Sequence, residues 1–203
     1  MRISRVLPLI LLLGLLAPVQ ARAQGINAGI KAGLTESRVN DVENASLQSG
    51  FVGGAYASGF LRVVALQAEV LYAQRKFSEI TGTVFQQDFV EIPLLLGLRL
   101  RGDPFFPMLY TGASAAFELK CSAEGLVDQT CEDLGVVPNS PQWNFLLGVG
   151  VDVYVGPVIL TLDGRFNLGL NALQEDNPDR KWRSFYIMAG IGLPLKREPQ
   201  FLH

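Results

Sequence analysis

The chain has 203 residues, of which 49% are hydrophobic and 18% are charged, and it contains two cysteines and one histidine. Its formal net charge at pH 7 is −2. A net acidic chain binds nucleic acid poorly, because basic residues are needed to hold the phosphates, so no nucleic-acid partner is expected.

The first 23 residues have the organisation of a secretory signal peptide. Arg2 and Arg5 precede an apolar run over residues 6–19, and the small residues Ala21 and Ala23 follow that run. The run, about 14 residues long, is shorter than the roughly 20 that a transmembrane helix requires. We therefore expect cleavage of residues 1–23 and one mature domain over residues 24–203. That domain holds 14 of the 17 basic residues against 19 acidic ones, a net charge of −5.

The mature chain alternates apolar residues with small or polar ones, and a period of two is typical of β-strands. The alternation is clearest over residues 142–155, where Trp143, Phe145 and Leu147 lie opposite Asn144 and Gly148. In chain order it covers residues 26–34, 51–60, 64–72, 90–100, 109–119, 142–155, 158–170 and 185–195.

The connections between these segments alternate in length. Short turns at residues 61–62, 101–106 and 156–157 intervene between long polar connections at 35–49, 77–85, 121–141 and 171–182. Short turns at one end and long loops at the other are typical of barrels in bacterial outer membranes. The sequence therefore predicts an all-β protein, a transmembrane up-and-down antiparallel β-barrel of about eight strands preceded by a cleaved signal peptide.

A soluble barrel of the lipocalin type is the alternative fold. It would place its apolar side chains inside, around a ligand, and its polar side chains in water. The polar face of this chain is rich in Gly and poor in Lys and Glu, which is unusual for a surface in contact with water. Small residues suit the interior of a narrow barrel, so the membrane barrel is favoured.

Four segments carry a family resemblance: residues 25–34, Ala68-Glu69-Val70-Leu71-Tyr72, Val90-Glu91-Ile92-Pro93-Leu94-Leu95, and residues 146–153. With these segments the whole mature chain resembles the outer-membrane β-barrel domain proteins, often called PorT-like or porin-family proteins. The Glu91-Ile92-Pro93-Leu94 pattern is the most suggestive of them. The resemblance implies a fold and a location in the bacterial outer membrane, and it implies no activity.

Ten charged residues fall on the small and polar face, which is the predicted inside of the barrel. A barrel of this size is narrow enough to be filled by side chains, and charges in such a space persist when they are paired. We interpret these residues as a salt-bridge network that closes the lumen, and a polar ion path is the alternative. The ten are Lys31, Glu69, Arg75, Glu91, Arg99, Glu118, Lys120, Asp152, Asp163 and Arg165, with Lys31, Glu69, Glu91, Asp163 and Arg165 expected nearest the middle.

The two cysteines, Cys121 and Cys131, follow one strand and precede the next. An even cysteine count in an exported chain favours a disulfide, here one that shapes the third long loop. Two unpaired thiols are the alternative.

These observations favour a structural or surface-interaction role, in which a closed barrel displays its long loops. Transport of small solutes or ions through a polar lumen is the second interpretation, and a lipid-modifying enzyme is the third. The only histidine, His203, is the last residue, so histidine-based catalysis at the outer rim is disfavoured. We expect no catalytic residue, cofactor or metal. The expected partners are outer-membrane lipid, the machinery that inserts barrels, and a protein bound at the outer loops.

Overall fold

The computed structural model of the protein describes residues 25–39, 47–78, 84–100, 102, 104–123, 140–172 and 181–196. Each strand pairs antiparallel with its neighbours in the sequence, and the first pairs with the last, which closes the barrel. The predicted signal peptide lies outside the described residues. The strands are β1 (Gly25–Val39), β2 (Gln48–Leu61), β3 (Val64–Ser78), β4 (Val84–Arg99), β5 (Phe105–Ala123), β6 (Gln142–Val155), β7 (Val158–Gly169) and β8 (Trp182–Lys196).

The two ends of the barrel differ in their connections. At one end, which we call the turn end, Arg62-Val63 and Gly156-Pro157 are tight turns, and Arg62 and Gly156 adopt positive φ values of 58° and 62°. Glycine adopts such a φ without steric cost, which explains Gly156. At the other end, which we call the loop end, residues 40–47, 79–83, 124–141 and 170–181 connect the strands. The predicted asymmetry is therefore confirmed except for one pair of connections, because residues 100–104 at the turn end are as many as residues 79–83 at the loop end.

The outer surface of the barrel is apolar. Leu96, Leu162 and Ile187 are 55%, 55% and 53% exposed, and their neighbours along each strand are buried or half-buried. A soluble monomer rarely exposes apolar patches larger than a few hundred Å². The soluble barrel with an apolar interior is therefore the wrong alternative, because the apolar side chains face outward and require a lipid solvent. In the described part of the chain, no helix is long and apolar enough to cross a membrane.

One bulge changes the direction of side chains near the loop end of β5. Phe89 pairs with Glu118 and Asp88 pairs with Lys120, so Leu119 is an extra residue on β5. A bulge of this kind reverses the alternation beyond it. Lys120 is consequently exposed on the outer surface, opposite Asp88. The prediction that Lys120 faces the lumen was wrong, since strict alternation carries no information about an inserted residue.

Candidate functional site in the barrel lumen

Four charged side chains meet near the middle of the lumen and form what we call the middle network. The Nζ of Lys31 lies 2.8 Å from Oε1 of Glu69 and 3.1 Å from Oδ2 of Asp163. Arg165 donates to both oxygens of Glu69, at 2.7 and 3.0 Å, and to both oxygens of Asp163, at 2.9 and 3.2 Å. All four residues are buried, so two bases balance two acids inside the barrel.

Neutral polar groups complete the middle network. The hydroxyl of Tyr110 donates to Oδ1 of Asp163 at 2.6 Å, and Nε2 of Gln67 donates to Oε1 of Glu69. The ring of Tyr110 lies over Gly148, where an added Cβ would come within 2.5 Å of the ring. Glycine on the inner face thus makes room for the large side chains that reach across the lumen, as expected for a narrow barrel.

A second group of residues, the loop-end network, lies nearer the long connections. Nη2 of Arg75 is 2.8 Å from Oε2 of Glu91, and Nε of Arg75 donates to the hydroxyl of Tyr186 at 2.9 Å. That hydroxyl in turn donates to Oε2 of Glu91 at 2.9 Å. The other oxygen of Glu91 accepts from Ser114, whose Oγ accepts from Asn144. One buried base and one buried acid therefore lie in a network with three neutral side chains, of which Tyr186 contacts both.

A third group, the turn-end cluster, is mainly aromatic. Arg99 donates to the hydroxyl of Tyr154 at 3.0 Å, and Asn27 donates to the same oxygen at 2.9 Å. The guanidinium of Arg99 lies 4.3 Å from the ring centroid of Phe60 and 4.2 Å from that of Phe106. Cation–π contacts of this kind are stronger in a desolvated site, which suits a cation in a narrow lumen.

Asp152 lies beside a small cavity between the turn-end cluster and the middle network. Its side chain lines the cavity together with Lys31, Tyr56, Thr161 and Asp163. The cavity volume is about 10 Å³, which corresponds to about one water molecule. Within the described residues, no three His, Cys, Asp or Glu side chains gather as a metal site would require. The lumen therefore offers room for isolated water and for nothing larger at this level.

The remaining predicted site residues that the structure describes lie at the loop end. Glu118 is half-buried, and its Oε2 accepts a hydrogen bond from Nε2 of Gln87 at 3.0 Å. Cys121 is 8% exposed and pairs with the inward-facing Gln87 across the strands. Cys131 lies outside the described residues, so the disulfide stays a prediction. Lys120, as described above, faces outward.

The structure brings together four of the five residues expected near the middle, while Glu91 joins Arg75 in the loop-end network instead. Sequence reasoning missed the tyrosines that link the charged residues, namely Tyr110, Tyr154 and Tyr186. Each of them lies on the inner face, which carries mainly small or polar residues. A large side chain with a polar tip on that face is the signal that identifies such a link.

Comparison with known proteins supports the fold. The family model described as outer membrane protein beta-barrel domain matches residues 20–175. Neisserial surface protein A has 18% identity to this chain and a TM-score of 0.55, with 83% of this chain and 96% of that protein covered. The outer membrane protein OprG from Pseudomonas aeruginosa has 13% identity and a TM-score of 0.51, with 86% and 97% covered. No curated protein matches the sequence significantly.

The two solved structures share the fold with this chain, and the family match covers more than half of its sequence. Barrels of this family span the outer membrane with their short turns in the periplasm and their long loops outside. The turn end accordingly faces the periplasm, and the loop end faces the cell exterior. The chain belongs to the outer membrane protein β-barrel domain family and lies in the bacterial outer membrane.

Proposed function

We propose that this protein is a non-enzymatic barrel with a closed lumen, whose role is structural or lies in display of its long loops at the cell surface. The observation that carries the proposal is the set of side-chain contacts that cross the lumen. In an eight-stranded barrel, strands four apart in the order lie on opposite walls. Contacts between such strands fill the space that a solute would need.

Two of the networks make such contacts. Glu69 on β3 and Arg165 on β7 lie on opposite walls and are joined by hydrogen bonds of 2.7 and 3.0 Å. Glu91 on β4 and Tyr186 on β8 are likewise opposite and 2.9 Å apart. The turn-end cluster adds a third level, where Tyr154 on β6 contacts Asn27 on β1 and Arg99 on β4. A solute moving along the barrel axis would have to break the side-chain contacts at each of these three levels in turn.

Charge balance supports the same proposal. A pore that attracts ions of one sign carries an excess of the opposite charge along its path. Among the residues that the structure describes, the buried charges of the lumen are balanced, with four bases and four acids. They are Lys31, Arg75, Arg99 and Arg165 against Glu69, Glu91, Asp152 and Asp163.

We also propose that the protein is PorT-like. This proposal rests on the Glu91-Ile92-Pro93-Leu94 pattern of β4. In the structure this pattern places Glu91 in the lumen, next to Arg75 and Ser114.

The proposed partners are lipid around the apolar outer surface, the barrel insertion machinery, and a protein bound at the long loops. The histidine on which an enzyme would depend, His203, lies outside the described residues.

The closed lumen predicts that the wild-type protein conducts at background level in planar bilayers. Contacts at three levels leave no continuous water path, so ions would cross only after several ion pairs had broken. Heat-modifiable migration of the same preparation on gels serves as the control that the barrel is folded. Large and stable single-channel steps from folded protein would reject the closed lumen and favour transport through it.

We also propose that Cys121 and Cys131 form a disulfide that shapes the third long loop. The predicted export signal and the even cysteine count support it, and Cys121 is not a free thiol in the structure. Such a short ring stabilises the loop by roughly 2.5–3 kcal/mol at most. We expect unreduced, denatured protein to resist maleimide and to react at both cysteines after reduction. Modification of both residues without reductant would contradict the disulfide.

A further inference from the structure

The seam between β1 and β8 carries an unusual pair of cations at the loop end of the outer surface. On the turn-end side of this pair, the lipid-facing side chains of the seam are apolar: Leu34, Phe185 and Ile187 are exposed by 62%, 40% and 53%. On β8 the next outward position toward the loop end is Arg183, and on β1 Leu34 is followed on this face by Glu36 and then by Arg38. Both arginines are exposed. The two arginines thus lie where the apolar band gives way to the outer lipid headgroups.

The register of the seam places Arg38 directly opposite Arg183. Side chains opposite each other on one face are close neighbours, and like charges in this position destabilise a sheet. Neither arginine forms an ion pair with a described residue. Within the described part of β1 and β8, the register places the carboxylate of Glu36 on the same face and diagonal to Arg183, and its Oε1 accepts a hydrogen bond from Ser49 at 2.6 Å.

The seam between β4 and β5 provides a contrast at the same end of the barrel. There the outward-facing Lys120 lies directly opposite Asp88, so the positive charge has a carboxylate as its cross-strand neighbour. The β1–β8 seam has no such compensation between its opposed residues. Lys181, two residues beyond Arg183, adds a further positive charge to that side of the barrel.

We propose that Arg38 and Arg183 bind the phosphate group of an anionic lipid in the outer leaflet. A guanidinium can donate two parallel hydrogen bonds to a phosphate, and two guanidinium groups side by side match its oxygen atoms and its charge. Basic residues at a membrane surface attract anionic headgroups. The acyl chains of the same lipid lie along Leu34, Phe185 and Ile187. The bound phosphate offsets the repulsion that the register imposes on the arginines.

Lipid retention by the mature protein in dodecyl maltoside tests the proposal. Phosphatidic acid is the probe, phosphatidylcholine is the zwitterionic control, and native mass spectrometry counts the lipids retained. We expect selective retention of phosphatidic acid. The affinity should fall about fivefold for each arginine lost, hence roughly 25-fold in the double variant Arg38→Gln/Arg183→Gln. The matched variant Lys120→Gln, which removes a cation with an opposed carboxylate, should retain the lipid as the wild type does.

A stability measurement separates lipid binding from general surface charge. In phosphatidylcholine vesicles, Arg183→Gln should raise the urea midpoint, because it removes the repulsion from Arg38. In vesicles that also contain phosphatidic acid, the same substitution should lower the midpoint. A shift of the same sign in both membranes would overturn the proposal, as would equal retention of phosphatidic acid by the wild type and the double variant. If inorganic phosphate displaced phosphatidic acid at equal concentration, the site would recognise free phosphate and the lipid assignment would be wrong.

Discussion

Replacement of Arg165 by alanine is expected to lower the free energy of unfolding by about 3–5 kcal/mol. Arg165 donates hydrogen bonds to Glu69 and Asp163, and the substitution leaves two buried carboxylates with Lys31 as their only cation in the middle network. A buried charge that loses its partner keeps its full desolvation penalty, which is the reason for the large effect. Urea unfolding in phosphatidylcholine vesicles measures the difference.

Two further variants make this result specific. Lys120→Ala removes an exposed cation from the outer surface and should change the free energy of unfolding by about 0.5 kcal/mol or less. Adding Asp163→Asn to Arg165→Ala restores charge balance in the middle network, so it should recover part of the loss. An Arg165→Ala protein as stable as the Lys120→Ala protein would show that the middle network does not hold the barrel together.

The strands and their faces could be predicted from the sequence, because a barrel in lipid has opposite requirements on its two faces. The lipid excludes polar side chains from one face, whereas the narrow lumen on the other side accepts mainly small and polar side chains, with a few apolar ones such as Leu71, Leu95 and Leu146 packed among them. Alternation is therefore strong over the bilayer, as in β6, where the predicted and observed bounds are both residues 142–155. The same reasoning placed Asp163 and Arg165 on the inner face of β7, where both are buried.

The ends of the strands toward the cell exterior could not be predicted in this way. The alternation of β1 was traced to residue 34, yet the strand continues to Val39. Its last outward positions are Glu36 and Arg38, which are polar because they lie beyond the apolar band. Hydrogen bonding to the neighbouring strands continues there although the hydrophobic pattern has ended, so the pattern underestimates the length of the strand.

The residues that contact each other across the lumen could not be predicted from the sequence either. Alternation assigns a residue to a face, whereas the shear of the closed barrel determines which inward residues lie at the same height. Glu91 was expected with the residues at mid-depth, yet its partners are Arg75 and Tyr186. The single extra residue, Leu119, turns Lys120 to the outer face, so the predicted face of Lys120 was wrong. Register and bulges are properties of pairing between strands, which the sequence of one strand does not contain.

The loop-end network should respond in opposite ways to loss of one partner and loss of both. Arg75→Met leaves Glu91 buried with hydrogen bonds from Ser114 and Tyr186 and without a cation, and Glu91→Leu leaves Arg75 without a carboxylate. Each single variant should therefore lose about 3–5 kcal/mol of unfolding free energy.

The double variant Arg75→Met/Glu91→Leu removes both charges and keeps similar side-chain volumes. Replacement of a buried ion pair by apolar residues is often neutral or stabilising, so the double variant should be more stable than either single variant. Tyr186→Phe provides the control for the hydroxyl that joins Arg75 to Glu91, and it should cost roughly 1–3 kcal/mol. A double-mutant cycle from urea unfolding in vesicles gives the coupling energy. Losses that add in the double variant would show that Arg75 and Glu91 stabilise the barrel independently, and the pairing inferred from their 2.8 Å contact would be rejected.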